Sequence, residues 1–155
     1  MKNLVIGQSG GPTAVINASL YGAVKAFRES GADGHVLGMI NGIEGFLADH
    51  VMDLSTDLSD KELELLKLTP AAYLGSCRYK LPADLDSEVY PAIFDNFREM
   101  NIGYFLYVGG NDSMDTVDKL SRYAEKLGSD VKFIGIPKTI DNDLVLTDHT
   151  PGFGS

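Results

Sequence analysis

The densest run of reactive side chains is Pro137-Lys138-Thr139-Ile140-Asp141-Asn142-Asp143, in which two carboxylates at alternate positions flank an amide, with a lysine and a threonine just before them. A carboxylate placed this way can accept the proton of a substrate hydroxyl while the lysine offsets negative charge on a transferred group, as phosphoryl transfer to an alcohol requires. The same residues also suit a solvated Asx-type turn, because Asn and Asp are common in loops.

Two glycine segments offer the complementary half of such chemistry. In Ser9-Gly10-Gly11 the absent Cβ atoms let backbone N–H groups approach a phosphate, and a following helix N-terminus favours its charge. Gly-Gly equally makes a tight strand-to-helix turn with no ligand. Gly109-Gly110-Asn111-Asp112-Ser113 repeats the glycine pair and adds a carboxylate and a hydroxyl, which can meet a metal, orient a phosphate or cap the next helix.

The elements that must position these segments follow from hydrophobic periodicity. Lys2 to Gln8 is a short β-rich run that ends in the first glycine turn, after which Ala14 to Arg28 is apolar at helical spacing. His35 to Ile40 predicts a second strand, followed at Asn41-Gly42 by a loop containing Ile43-Glu44-Gly45-Phe46. A short helix is expected between Ser59, as N-cap, and Leu68, and a longer one from an Asp86 or Ser87 cap to about Met100, with acids in its first turn. Val89, Ile93, Phe94 and Phe97 form its apolar stripe. Tyr104 to Val108 predicts a strand, Ser113 to Leu127 a helix ending at Gly128, and Val131 to Ile136 a buried strand stopped by Pro137. Strands alternating with helices imply an α/β fold with a parallel sheet, Rossmann-like, with helices on both faces and ligands outside the carboxyl ends of the strands.

Bulk properties narrow the classes. A chain of 155 residues, 44% hydrophobic, suits one domain with one ordinary core. A formal net charge of -9 argues against a general nucleic-acid or anionic-membrane binder, so an anionic ligand must be held locally by backbone N–H groups, a placed Lys or Arg, or a divalent metal. The lone Cys77 permits no intramolecular disulfide, there is no zinc-type Cys/His spacing, and the apolar start is too short for a signal peptide, so the cytoplasm is the expected compartment.

In order along the chain, the Ser9-Gly10-Gly11 turn, Asn17-Ala18, Leu74-Gly75-Ser76-Cys77-Arg78, GGNDS at 109–113, PKTIDND at 137–143 and TDHTPGFGS at 147–155 resemble the phosphofructokinase set. The combination is far more specific than any member, and it runs through the whole chain while covering only the front part of the family's length. Residues 1–155 are therefore expected to be the N-terminal phosphoryl-donor-binding domain of such a protein, truncated at its C-terminus, inactive alone and a homo-oligomer when full length. The resemblance implies that Asp141 is the base for the 1-hydroxyl of fructose 6-phosphate, with Thr139 and Asp143 placing the sugar or the transferred group. It implies that Gly10, Gly11, Arg78, Gly110, Asp112 and Ser113 hold the phosphoryl donor, with Mg2+ as the cofactor.

ATP-using members of the family carry glycine where this chain has Asp112 and Lys138, which resembles the pyrophosphate-using branch instead. A carboxylate at Asp112 adds bulk and charge where a nucleotide α-phosphate needs close backbone approach, and Lys138 adds a point charge for pyrophosphate and the leaving phosphate. Asn111 stands where an aspartate usually helps hold magnesium and Pro12 where an acid is usual, so the metal would fall to Asn111 and Asp112 with phosphate oxygens and water. The competing readings are an ATP-dependent enzyme, a kinase of the related NAD or lipid type, which shares a GGD-like turn but lacks a PKTIDND loop, and a non-catalytic phosphate-binding or assembly module.

Overall fold

Residues 1–154 are described in a computed structural model. Strand β1 (Asn3–Gln8) leads to helix α1 (Ala14–Glu29), then β2 (Val36–Met39), α2 (Gly42–Leu47) and β3 (Val51–Asp53). Helices α3 (Asp60–Leu66) and α4 (Val89–Glu99) precede β4 (Ile102–Gly109), α5 (Asn111–Leu127) and β5 (Lys132–Pro137). The five strands form one sheet in the order β3-β2-β1-β4-β5, parallel except for β3, which runs antiparallel to β2.

Side-chain alternation along the strands divides the interior into two layers. Leu4 and Ile6 of β1 and Val108 of β4 pack with Ile16, Leu20 and Val24 of α1 and with Leu63 and Leu66 of α3. Val5 of β1 and Phe105 and Tyr107 of β4 face the opposite way, onto Phe46 of α2, Ile93, Phe94 and Phe97 of α4, and Leu120 and Ala124 of α5. Helices therefore cover both faces of the sheet. The alternation breaks near the start of β4, where Asn3 pairs with Ile102 but Leu4 with Tyr104. Gly103 is the extra residue of this bulge, and the slip puts Ile102 on the same side as Phe105.

Several sequence expectations change. Residues 43–46 lie in helix α2, with Asn41 ahead of it in the left-handed region at φ 59°. The short β3 was unforeseen, since three residues carry too little periodicity to register. Helix α4 begins at Val89 after Glu88, without a side-chain cap or an acid in its first turn. Asp84 to Ser87 instead forms its own turn, in which Asp84 Oδ1 accepts from the Asp86 amide while the Asp86 carboxylate pairs with Lys126. Ser59 caps α3 as expected, completing a capping box with Glu62. The last strand is a partly exposed edge, with Ile134 53% exposed. Among the described residues, no helix is long and apolar enough to cross a membrane.

Candidate functional site

The order of the strands fixes where a ligand can sit. The chain leaves β1 through α1 to reach β2 on one side, and β4 pairs with β1 on the other, so the direction of winding reverses between β1 and β4. A crevice opens outside the carboxyl ends of strands at such a point. Both glycine segments end there, and each feeds the N-terminus of a helix, where unpaired N–H groups and the helix dipole favour an anion.

Two glycines are required by this geometry. Gly10 has φ +80°, and a Cβ on it would lie 3.7 Å from the Gly110 amide nitrogen. A Cβ on Gly109 would come within 2.1 Å of Ser113 Oγ and 2.7 Å of the Ser9 carbonyl oxygen. Gly110 sits at the N-cap of α5, which starts at Asn111, two residues earlier than the apolar pattern suggested. Asn111 and Asp112 are thus exposed in the first helical turn, and Ser113 is buried beneath Gly109.

A cavity of about 540 Å³ lies between the two turns, with Arg78 and Lys80 on one wall and Asn111, Asp112 and Ser113 on the other. Tyr79 turns toward the apolar core, so its neighbours Arg78 and Lys80 are left exposed, as alternation in an extended segment requires. Lys80 Nζ lies 3.4 Å from Asp112 Oδ1. The Arg78 guanidinium carries no hydrogen bond or ion pair among the described residues. The cation beside Asp112 is therefore Lys80, which the sequence reading passed over although it sits two residues after Arg78.

A buried polar hub holds this wall in place. Gln8 donates to Asn17 Oδ1 (2.9 Å) and to the Ile16 carbonyl (3.0 Å), and its own carbonyl accepts from the Leu74 amide (2.9 Å). Asn17 donates to the Thr69 carbonyl (2.8 Å) and accepts from the Tyr73 amide (2.8 Å). Ser9 Oγ then donates to the Cys77 carbonyl (3.3 Å), one residue before Arg78. Tyr107 stands below, its hydroxyl accepting from the Ile43 amide (3.4 Å), and burial pushes its phenol well above the ordinary value. A phenol held neutral this way supports the loop and does not serve as a base.

A smaller cavity of about 190 Å³ adjoins the first through Gly110 and Asn111, and Lys138, Thr139, Ile140, Asp141 and Asp143 line the rest of it. Backbone pairing continues past β5, with the Lys138 amide donating to the Gly109 carbonyl (2.8 Å). The Lys138 ammonium reaches back across the crevice and donates to the Gly11 carbonyl (2.7 Å). Thr139 Oγ1 accepts from the Asp141 amide (3.0 Å). Asn142, at φ +56°, accepts from the Thr150 amide (2.8 Å) and donates to the Asp148 carbonyl (3.3 Å), fastening the loop to residues 148–150. The carboxylates of Asp141 and Asp143 on either side stay exposed and unpaired among the described residues. Gly10, Gly11, Arg78 and Gly110 to Ser113 therefore line one cavity and Lys138, Thr139, Asp141 and Asp143 the one adjoining it, with Lys138 joining them.

Among the described residues there is no group of three or more His, Cys, Asp or Glu side chains able to hold a metal. Asn111 and Asp112 offer one amide and one carboxylate, a set that suits Mg2+ only where phosphate oxygens and water complete its shell.

The strand order and the helices on both faces make this a doubly wound α/β protein, with paired glycine turns at helix N-termini, cations along one wall of the crevice and unpaired carboxylates next to it. The phosphofructokinase family model matches residues 3–155. Over 156 aligned positions the chain is 46% identical to the pyrophosphate–fructose 6-phosphate 1-phosphotransferase of Halomonas elongata, an alignment covering 99% of this chain and 37% of the relative. It is 45% identical to the protein of the same name from Rhodospirillum rubrum, covering 98% of this chain and 36% of that one. It superposes on the crystal structure of a pyrophosphate-dependent phosphofructokinase from Nitrosospira multiformis with a TM-score of 0.89 at 44% identity, covering 99% of this chain and 38% of the other. The chain belongs to the phosphofructokinase family. It spans a little over a third of the length of these relatives.

Proposed function

We propose that this chain is a phosphoryl-donor-binding domain that holds pyrophosphate and supplies the base for its transfer to the 1-hydroxyl of fructose 6-phosphate, giving fructose 1,6-bisphosphate and orthophosphate. The observation that carries the reading is Lys138, whose backbone sits in the carboxylate loop while its ammonium lies on the Gly11 carbonyl of the donor turn. One side chain thereby links the place of the base to the place of the phosphate.

Asp141 takes the proton from the sugar hydroxyl, whose oxygen attacks the terminal phosphorus as the bond to the leaving phosphate breaks. Thr139 and Asp143 place the sugar or the transferred group. The amides of Gly10, Gly11 and Gly110, with Ser113 and the Arg78 guanidinium, hold the donor, and Lys138 offsets charge on the leaving phosphate. Asn111 and Asp112 would hold Mg2+, which supplies neutralisation of phosphate charge when bound. Asp112 extends an exposed carboxylate into the donor cavity, which disfavours the close approach of a nucleotide α-phosphate. The exposed unpaired carboxylates of Asp141 and Asp143 favour this reading over that of a non-catalytic module, in which they would serve only the loop. The cytoplasm, which keeps the buried Cys77 thiol reduced, is the compartment proposed, and a homo-oligomer is the proposed full-length state.

The test is a chimera in which residues 1–154 replace the matching segment of the Halomonas elongata relative. It is expected to form fructose 1,6-bisphosphate from pyrophosphate, and Asp141→Asn is expected to lower kcat by about 10²- to 10⁴-fold with pyrophosphate affinity kept. Turnover that survives Asp141→Asn would exclude Asp141 as the base.

A further inference from the structure

We infer that the free edge of β5 is a docking strand for a second copy of this chain, which pairs with it antiparallel about a two-fold axis through Ile134 and joins the two sheets edge to edge.

The backbone supports it first. Strand β5 pairs with β4 alone and closes the sheet. The Lys138 amide donates to the Gly109 carbonyl (2.8 Å), and successive residues of a strand turn their polar groups to opposite sides, so Ile134 and Ile136 also face β4. Phe133 and Gly135 therefore turn N–H and C=O outward, and neither amide has a partner among the described residues. An edge of unpaired amides and carbonyls is a template for another strand. Lys132 at one end and Pro137 at the other guard it, and they leave the residues between them open.

The match of the edge to itself supports it second. With Ile134 on the axis, Phe133 of each copy falls opposite Gly135 of the other, so the outward residues exchange N–H and C=O in both directions. Ile134 then meets Ile134 as a pair without hydrogen bonds, the kind whose side chains lie closest. Gly135 lies beneath α5, where a Cβ would come 2.6 Å from Met114 Sδ, so Ile134 faces the other side of the sheet and is 53% exposed. Tyr104, which pairs with Lys132 on that same side, is 44% exposed. Pairing brings the Ile134 and Tyr104 side chains of both copies into one apolar strip. Charge agrees with the register, because Asp130 of one copy comes opposite Lys138 of the other. The Asp130 carboxylate is 81% exposed with Lys2 at 4.0 Å, and the Lys138 ammonium holds a carbonyl and no carboxylate. Moving the axis to Gly135 would instead set Lys132 against Lys138 and Phe133 against Pro137, which has no N–H.

Sedimentation velocity of the 155-residue chain across the micromolar range tests this, using Ile134→Lys, Asp130→Lys, Ile134→Cys and Lys132→Cys. All three positions are exposed, and circular dichroism of each variant establishes that the fold is intact. The chain is expected to sediment as a monomer–dimer equilibrium. Ile134→Lys sets two ammonium groups face to face on the axis and should weaken association at least about tenfold, and Asp130→Lys should weaken it about threefold. The deciding arm is mild oxidation with copper phenanthroline. Ile134→Cys should give a covalent dimer, since its Cα atoms face each other at about 4.5 Å across the axis. Lys132→Cys should not, since its two copies are offset along the ladder by roughly 13 Å. The unsubstituted chain, with Cys77 buried, is the control. A monomer at every concentration overturns the inference, and so does a dimer that keeps its affinity in Ile134→Lys or crosslinks equally through both introduced thiols.

Discussion

Replacing Asn17 by Leu should cost about 3 kcal/mol and loosen the donor wall without abolishing the fold. Asn17 is fully buried and makes three hydrogen bonds, to the Thr69 carbonyl, the Tyr73 amide and the Gln8 side chain. A leucine of similar size fills the space but takes one hydrogen bond from each of the three partners, stranding one N–H of Gln8 while its bonds to Ile16 and Leu74 remain. Stranding a buried polar group costs about 1–3 kcal/mol. Gln8 is fully buried and carries the whole penalty, whereas Thr69 and Tyr73 reach solvent and recover part of theirs from water. The sum stays below the roughly 5–15 kcal/mol of ordinary domain stability, so the variant still folds. In urea, with an m-value of about 2 kcal/mol/M, the midpoint should fall by about 1.5 M. Pyrophosphate affinity should fall as well, since the segment from Thr69 to Leu74 leads directly to Arg78. A midpoint shift below about 0.5 M with unchanged pyrophosphate binding would refute the view that this hub positions the site.

Three further outcomes follow from the structure. Asp112→Gly with Lys138→Gly should give the chain measurable ATP binding and weaken pyrophosphate binding at least tenfold, as read by competition titration; unchanged donor preference would remove these two residues from donor choice. Phe97→Ala should cost about 3–5 kcal/mol in chemical denaturation, because its ring centroid lies within 6.0 Å of those of Phe46, Phe94, Phe105 and Phe133 at the centre of one layer; a cost under 1 kcal/mol would mean that this layer repacks. The Ser59 hydroxyl and amide hold the Glu62 carboxyl below its ordinary 4.5, and a depressed carboxyl contributes stability that is present above its unfolded value and lost as pH falls through the folded one. Glu62→Gln should therefore lower the thermal midpoint at pH 7 and match the unsubstituted chain at strongly acidic pH, and an equal gap at both would exclude the capping pair as its source.

The sequence showed those parts of the molecule whose physical signal is local. The period-2 and 3.6-residue patterns gave β1, α1, β4 and α5, and the glycine pairs marked the ends of β1 and β4 because only glycine tolerates the approach of Ser113 and Ser9 to Gly109. What stayed hidden depends on long-range pairing. Helix α2 looked like a loop because Gly42 and Gly45 weaken helix propensity, and its buried Ile43 and Phe46 show that packing decides the matter. The exposure of β5 follows from its place at the edge of the sheet, which no property of its own residues reveals. Lys80 was missed for a similar reason. A lysine in a polar loop is ordinary until residues 78–80 are seen to face Asp112 across a cavity. Asn142 was grouped with its acidic neighbours, yet its left-handed backbone and its bonds to residues 148–150 make it the fastener that leaves Asp141 and Asp143 exposed.

The most direct test of the donor site is an amide-resolved NMR titration of the 155-residue chain with pyrophosphate and, separately, with ATP. Pyrophosphate should shift the backbone amides of Gly10, Gly11, Gly110 and Asn111 together and saturably, and ATP should leave them in place. Pyrophosphate shifts scattered over the surface, or ATP shifts of equal size at these four amides, would contradict the assignment of the crevice between β1 and β4 as a pyrophosphate site.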